Sequence, residues 1–444
     1  MQMNPVTKKW NEIIDDLEHN VIKIYGQRSM LKTYDLIYHT VQSFFFNGKY
    51  VERGWGDVLV IGSPRCGKSE AAKQYINFVE AGEMITGENV SYAGLVGGVR
   101  MTDHSQMIMW GKYARNDGKL VICDELSNLS MDDIGRLSAL RSSGIAEVTK
   151  IQSNKAHART RKVFISNPRD GSDLVQLDFP IYSIKSLMGR LEDIARFDVI
   201  LGVTSTGITP TFISESQKEK IEHKFTAKLC HERIMWAWSR TPEQVKFSTG
   251  AKDAIYKLAD YHVNNWSSSV PMVVGPEQPE RIARLCCALA ARVYSTDSTG
   301  ELLLVEPVHV EAVGEFMEQL FNDPGLRYNY FVDREHAKEK QFQNMKQLAE
   351  VFRENIPEYQ QVIRVFLDNK FVSSNQLGQE IYSLTPEQSK KVISHMVQLN
   401  LISKYRNDGY KKLGKFNQLI RSEFENIIKD FSVNFGNVKE SEDF

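Results

Sequence analysis

The chain has 444 residues, with 55 basic against 56 acidic side chains, and the composition of a folded globular protein. That length calls for two to four domains, and the near-zero net charge gives no bulk attraction to nucleic acid. No apolar run approaches a membrane span, the first residues lack an apolar signal core, and the five cysteines include no C-x-x-C pair. A membrane protein, a secreted disulfide scaffold and a zinc ribbon are thereby disfavoured, and a cytoplasmic protein is expected.

Residues 1–50 read as an N-terminal helical segment, with apolar residues at helical spacing from Trp10 to Tyr25 and from Ser29 to Phe46. Asp57 to Ile61 is a short apolar, β-branched run, expected as a buried strand. It leads into Gly62-Ser63-Pro64-Arg65-Cys66-Gly67-Lys68-Ser69, which is G-x-x-x-x-G-K-S, and then into good helix formers from Glu70. This is the strand–loop–helix setting of a P-loop, whose backbone N–H groups close around phosphates. Lys68 is expected to reach the β- and γ-phosphates of ATP, and Ser69 to hold Mg²⁺. From Gly82 to Gly118 the chain is glycine-rich and polar, with a weak period. Lys119 to Cys123 is a second buried strand, closed by Asp124 and Glu125. Behind a P-loop this pair reads as a Mg²⁺-binding aspartate and a glutamate that polarises the attacking water.

Met131 to Leu140 reads as a helix, and residues 146–163 as a β-hairpin with a basic tip. From Lys150 to Lys162 the chain holds Lys150, Lys155, His157, Arg159, Arg161 and Lys162, with no acidic residue. A third strand ends at Asn167, which can position water against a γ-phosphate, and a fourth spans Asp198 to Val203. Strands alternating with helices predict an α/β fold with a parallel sheet. Arg190 and Arg196, just before the fourth strand, are candidates for an arginine finger that reaches a neighbouring subunit's nucleotide.

The order P-loop, acidic pair, Asn, Arg and then helices resembles the AAA+ plan. Its detail is similar to the minichromosome maintenance helicases and their phage and mobile-element relatives, over residues 20–325. Ile24-Tyr25-Gly26 resembles the family segment whose backbone cups adenine. Ala93 to Val99 resembles its pore-loop insert, Asp117 to Glu125 its approach to the acidic pair, Ala146 to Ile151 with Ala158 to Thr160 its hairpin, and Ala195 to Asp198 its finger segment. The resemblance implies a hexameric ring, a helical lid over residues 206–335, and hairpin lysines, Lys150 or Lys155, that grip DNA in the channel. It also implies that the finger is Arg196, and that a lid arginine, Arg281 or Arg284, with Arg281 preferred, stands at the nucleotide. Arg65-Cys66 stands where the family has small residues, and no counterpart of the family's N-terminal DNA-encircling region is expected.

The nucleotide-binding core is thus expected at 51–205, the lid at 206–335, a charged linker at 336–357, a winged helix-turn-helix at 358–421, and a polar, disordered tail at 422–444. In the winged helix, Pro386 opens a third helix that leaves Ser389, Lys390, Lys391, His395 and Gln398 for solvent or DNA. Lys404, Arg406, Lys411 and Lys412 flank Asn407-Asp408-Gly409 in a basic wing. The leading expectation is an ATP-driven DNA translocase acting on a single strand or fork, replicative for a phage or mobile element, with a possible element-encoded protein partner. The alternatives are an AAA+ remodeller or loader acting on a protein, and a transcription regulator.

Overall fold

The computed structural model describes residues 3–89, 91–102, 105–149, 153–405 and 409–425. The chain divides into two units, Met1–Val332 and Asp333–Phe444.

The first unit is α/β. Five parallel strands, β1 (Asp57–Gly62), β2 (Glu83–Thr86), β3 (Leu120–Asp124), β4 (Arg161–Ser166) and β5 (Val199–Val203), form one sheet in the order β5-β1-β4-β3-β2. Every residue of β1, β3, β4 and β5 is buried. Continuous apolar runs of this kind suit a sheet covered on both faces. The helix Arg28–Tyr38 packs across β1, β4 and β5. Arg141, on the helix Met131–Ser143, lies over the rings of Phe164 in β4 and Phe197.

Two antiparallel hairpins interrupt this pattern. Gly97–Thr102 pairs with Ser105–Trp110 between β2 and β3. Ile145–Thr149 pairs with Ser153–His157 between β3 and β4, as expected for the basic hairpin. The first of these, and the edge strand β2, were not foreseen. The helices Thr249–Trp266, Gln278–Val293 and Pro307–Phe321 follow the sheet, and share one apolar core with it.

The segment expected as a linker is helical over most of its length. Tyr328–Asn355 is continuous, and its charged side chains are those of a solvated helix surface. In the second unit the helices Tyr359–Asp368, Ser374–Glu380 and Pro386–Gln398 accompany a three-stranded antiparallel sheet. In that sheet Gly409–Lys412 lies between Val372–Ser373 and Ile402–Lys404. Thr385 and Gln388 form a capping box, and Pro386 occupies the first turn. Ser389 is buried, not available to solvent or DNA; its hydroxyl donates to Thr385 O at 3.1 Å. A further helix, Gly414–Glu423, closes the unit. No helix among the described residues is long and apolar enough to cross a membrane.

Candidate active site

Parallel strands deliver their C-terminal ends to one edge of a sheet, and that edge carries the chemistry. β1 runs into the loop Ser63–Gly67, β3 ends on Asp124, and β4, lying between them, ends just before Asn167. The result is a cleft of about 260 Å³ lined by Pro64 to Glu70, Asp124, Glu125, Ile165, Ser166 and Asn167.

The loop geometry depends on two left-handed residues. Gly67 has φ 80°, and a Cβ there would come within 2.8 Å of Ile24 Cγ2. Arg65 has φ 64° without being glycine, which costs roughly 1 kcal/mol and turns its exposed side chain toward the cleft. Cys66 packs inward, with its Sγ 3.8 Å from Pro64 O, and burial pushes its thiol pKa up against the pull of Lys68. It is a packing residue and not a reactive thiolate. Gly67 ends the loop as the N-cap of the helix Lys68–Val79, so the first N–H groups of that helix face the cleft, the arrangement that receives phosphate elsewhere.

Lys68 is 5 % exposed, and its Nζ donates to Gly62 O at 2.9 Å, Ser63 O at 2.7 Å and Asn167 Oδ1 at 2.9 Å. Burial lowers its pKa to about 8. The ammonium is therefore lost as the pH rises through about 8, and with it the attraction for phosphate. The affinity for a fluorescent ATP analogue should be flat below that pH and fall above it. Lys68→Arg should remove the fall, because guanidinium stays charged. A decline that persists in the arginine variant would assign it to another group.

Ser69 Oγ donates to Asp124 Oδ1 at 2.9 Å. A hydroxyl and a carboxylate side by side are hard oxygen donors of the kind Mg²⁺ accepts while it keeps waters and phosphate oxygens. Among the described residues no cluster of three or more His, Cys, Asp or Glu side chains could hold a metal independently. Glu125 takes φ 55°, its Oε2 accepts from Asn128 Nδ2 at 3.3 Å, and its pKa is raised by burial, Glu88 and Asp124. The cleft thus joins a G-x-x-x-x-G-K-S loop, a hydroxyl–carboxylate pair suited to a hard cation and an ionisable carboxylate. No protein-family model matches this chain, and no curated protein is similar to it.

Two partners of the site carry no motif. Asp173, in the polar loop after Asn167, accepts a short hydrogen bond from Ser63 Oγ, and Tyr34 Oη donates to Lys68 O at 3.2 Å. Only the tertiary structure brings them to the loop. Tyr25 and Gly26 do not line the cleft. Tyr25 is buried, Gly26 N donates to Glu18 Oε1, and the neighbouring Ile24 is what touches the loop.

The candidate arginines lie elsewhere. Arg196 follows the helix Leu191–Ala195 at the entry to β5, and the P-loop leaves the exit of β1, at the opposite edge of the same sheet. Its Nε donates to Ser138 Oγ at 2.7 Å and stands 3.9 Å from Asp193 Oδ1. Arg190 is exposed, its guanidinium lying against Gly135. Arg281 is 4 % exposed and donates to Met272 O and Ala195 O, and Arg284 pairs with Asp198. Arg196, Arg281, Arg284, Arg53 and Asp198 share one cavity with Glu277 and Glu280, apart from the P-loop cleft.

The basic hairpin is less uniformly cationic than its sequence. Arg161 and Lys162 are fully buried at the start of β4, donating to the carbonyls of Thr40, Gly118 and Thr160. Arg159 is paired with Asp117 at 2.6 Å. Lys155 is exposed, 3.9 Å across the hairpin from Glu147. Lys150 and Arg406 lie outside the described residues. Lys390, Lys391, Lys404 and Lys411 are exposed, whereas Lys412 is half-buried, 3.4 Å from Leu367 O.

Proposed function

We propose that this chain is an ATPase of the AAA+ type that moves along DNA. It would work as a ring, hexameric as in the minichromosome maintenance-like helicases it resembles, and serve replication of a phage or mobile element. The observation that carries the reading is the convergence of Lys68, Ser69, Asp124, Glu125 and Asn167 on one cleft at the exit edge of the sheet. Lys68 and the loop N–H groups would hold the triphosphate, Ser69 and Asp124 would hold Mg²⁺, and Glu125 would orient and deprotonate the attacking water. Asn167 places that water, and its bond to Lys68 ties the two functions together. Bound Mg²⁺ would supply charge neutralisation at the phosphates.

The position of Arg196 supports a ring. At the entry edge of the sheet it stands away from its own P-loop, so a role at a nucleotide would have to be played on an adjacent copy. Arg281 and Arg284 brace the same cavity, the former through carbonyls. The two hairpins touch where Gly97 approaches Val148. They extend from neighbouring connections of the sheet, so both would face a central channel, with Lys155 as a phosphate contact. The second unit, in which the helices Tyr359–Asp368, Ser374–Glu380 and Pro386–Gln398 precede a basic hairpin, is read as a winged helix that anchors DNA.

Strand displacement tests this reading. With Mg²⁺ and ATP the protein is expected to release the labelled strand of forked DNA, and DNA is expected to stimulate hydrolysis. Lys155→Glu should reduce that stimulation severalfold, because it sets a second carboxylate beside Glu147. Hydrolysis without DNA stimulation and without unwinding would refute the DNA motor.

A further inference from the structure

Strands alternate their side chains, and in the small sheet of the second unit that alternation has a consequence. Val372 pairs with Tyr410, and Tyr410 with Lys404. Val372 and Ile402 face the core and are buried. The period of two then sets Phe371, Lys411 and Tyr405 together on the opposite, outer face. There the rings of Phe371 and Tyr405 stack across the central strand, with centroids 4.5 Å apart and planes at 10°. They remain 37 % and 41 % exposed. Lys370 Nζ lies 5.8 Å from the Phe371 centroid, and Lys411 Nζ lies 5.8 Å from that of Tyr405.

We propose that this outer face, the Phe371–Tyr405 stack with Lys370 and Lys411, is a stacking site for an unpaired base of single-stranded DNA. The partner must be flat and aromatic to use the open ring faces, and anionic to satisfy the charge around them. Between Leu401 and Lys415 there are five basic residues and one acidic residue. Single-stranded DNA carries both properties at the spacing of one nucleotide. Base pairing and stacking hide the base faces inside a duplex, so a duplex cannot use the rings. The two lysines do not block the site. A solvated ammonium over an exposed ring is held weakly, whereas a base stacks more strongly and brings a phosphate that the displaced ammonium can take. This site is independent of the nucleotide cleft. It also differs from groove reading by Lys390 and Lys391, because it selects unpaired bases.

The full-length protein can be irradiated with a dT 20-mer carrying one 5-iodouracil, and the adduct mapped by mass spectrometry. The expected adduct is on the peptide containing Phe371 or Tyr405, in the wild type and in Lys68→Ala alike, so the result stands apart from any ATPase activity. In anisotropy titrations Tyr405→Ala and Phe371→Ala should each weaken dT 20-mer binding about tenfold, while binding of an abasic 20-mer of equal charge stays within about twofold. Tyr405→Phe, which keeps the ring, should bind like the wild type. Adducts confined to other peptides would overturn the proposal. So would alanine variants that lose duplex and abasic binding as much as dT binding, or a wild type that does not distinguish dT from abasic DNA.

Discussion

Glu125→Gln is expected to lower ATP hydrolysis by about 10²- to 10⁴-fold while leaving ATP affinity within a few fold, because in the proposed mechanism it removes the general base and no phosphate contact. The carboxylate hangs from the end of β3, beside the Ser69–Asp124 pair, and is not engaged by Lys68. Glutamine keeps the size and can still accept from Asn128, so the cleft should stay intact. Phosphate-release kinetics and a fluorescent-nucleotide titration separate the two effects. Lost binding with unchanged turnover would move the catalytic role away from Glu125. The pH dependence has a defined sign. The pKa of Glu125 in the empty cleft is raised by burial, Glu88 and Asp124, so the acid limb of kcat/KM, which reports the free enzyme, should lie above that of an unperturbed glutamate, with activity lost as the pH falls.

Asp35→Ala is expected to have the largest effect on stability, about 3–5 kcal/mol, or on the order of 10 °C in thermal midpoint. Asp35 is fully buried and accepts from Trp10 Nε1 at 3.2 Å, Tyr75 Oη at 2.5 Å and Arg292 Nε at 2.9 Å. It joins the helices Pro5–Asp16, Lys68–Val79 and Gln278–Val293. Removing it strands a buried guanidinium, which costs more than the contacts it made. The double variant Asp35→Leu with Arg292→Met should therefore be more stable than Asp35→Ala, and the opposite order would mean the pair is not the source of the loss. Burial pushes the Asp35 carboxyl up, but Arg292, His39 and Tyr75 outweigh it and hold the pKa below the ordinary value. Its contribution is thus present above the unfolded aspartate pKa and is lost as the pH falls through the folded one.

The parts of the site that follow one another in the chain were legible in sequence. G-x-x-x-x-G-K-S after a β-branched run, and Asp124-Glu125 after another, each declare strand, turn and chemistry within ten residues. Asn167 was legible as a strand-ending polar residue, and only the insertion of β4 between β1 and β3 gives that position its meaning. The edge strand β2 was hidden because Glu83–Thr86 buries only Ile85 and so lacks an apolar run. The hairpin at Gly97–Trp110 was hidden because Met101, Met107 and Met109 are exposed, so the apolar residues do not mark its inner face. Arg161 and Lys162 counted toward the basic run because sequence shows charge and not the carbonyls that absorb it at a strand entry. The charges of 336–357 suggested a linker, although a solvated helix needs no apolar stripe on most of its length.

Mixing two inactive variants tests most directly whether each nucleotide site is shared between copies. Arg196→Ala should lower hydrolysis about 10³-fold by removing the neighbour's contribution, and Glu125→Gln disables the subunit that holds the nucleotide. In rings assembled from equal amounts of both, roughly a quarter of the interfaces regain an intact Glu125 opposite an intact Arg196. Recovery of hydrolysis well above either variant alone is the expected result. A mixture that hydrolyses no faster than the average of the two variants would contradict a site completed in trans by Arg196.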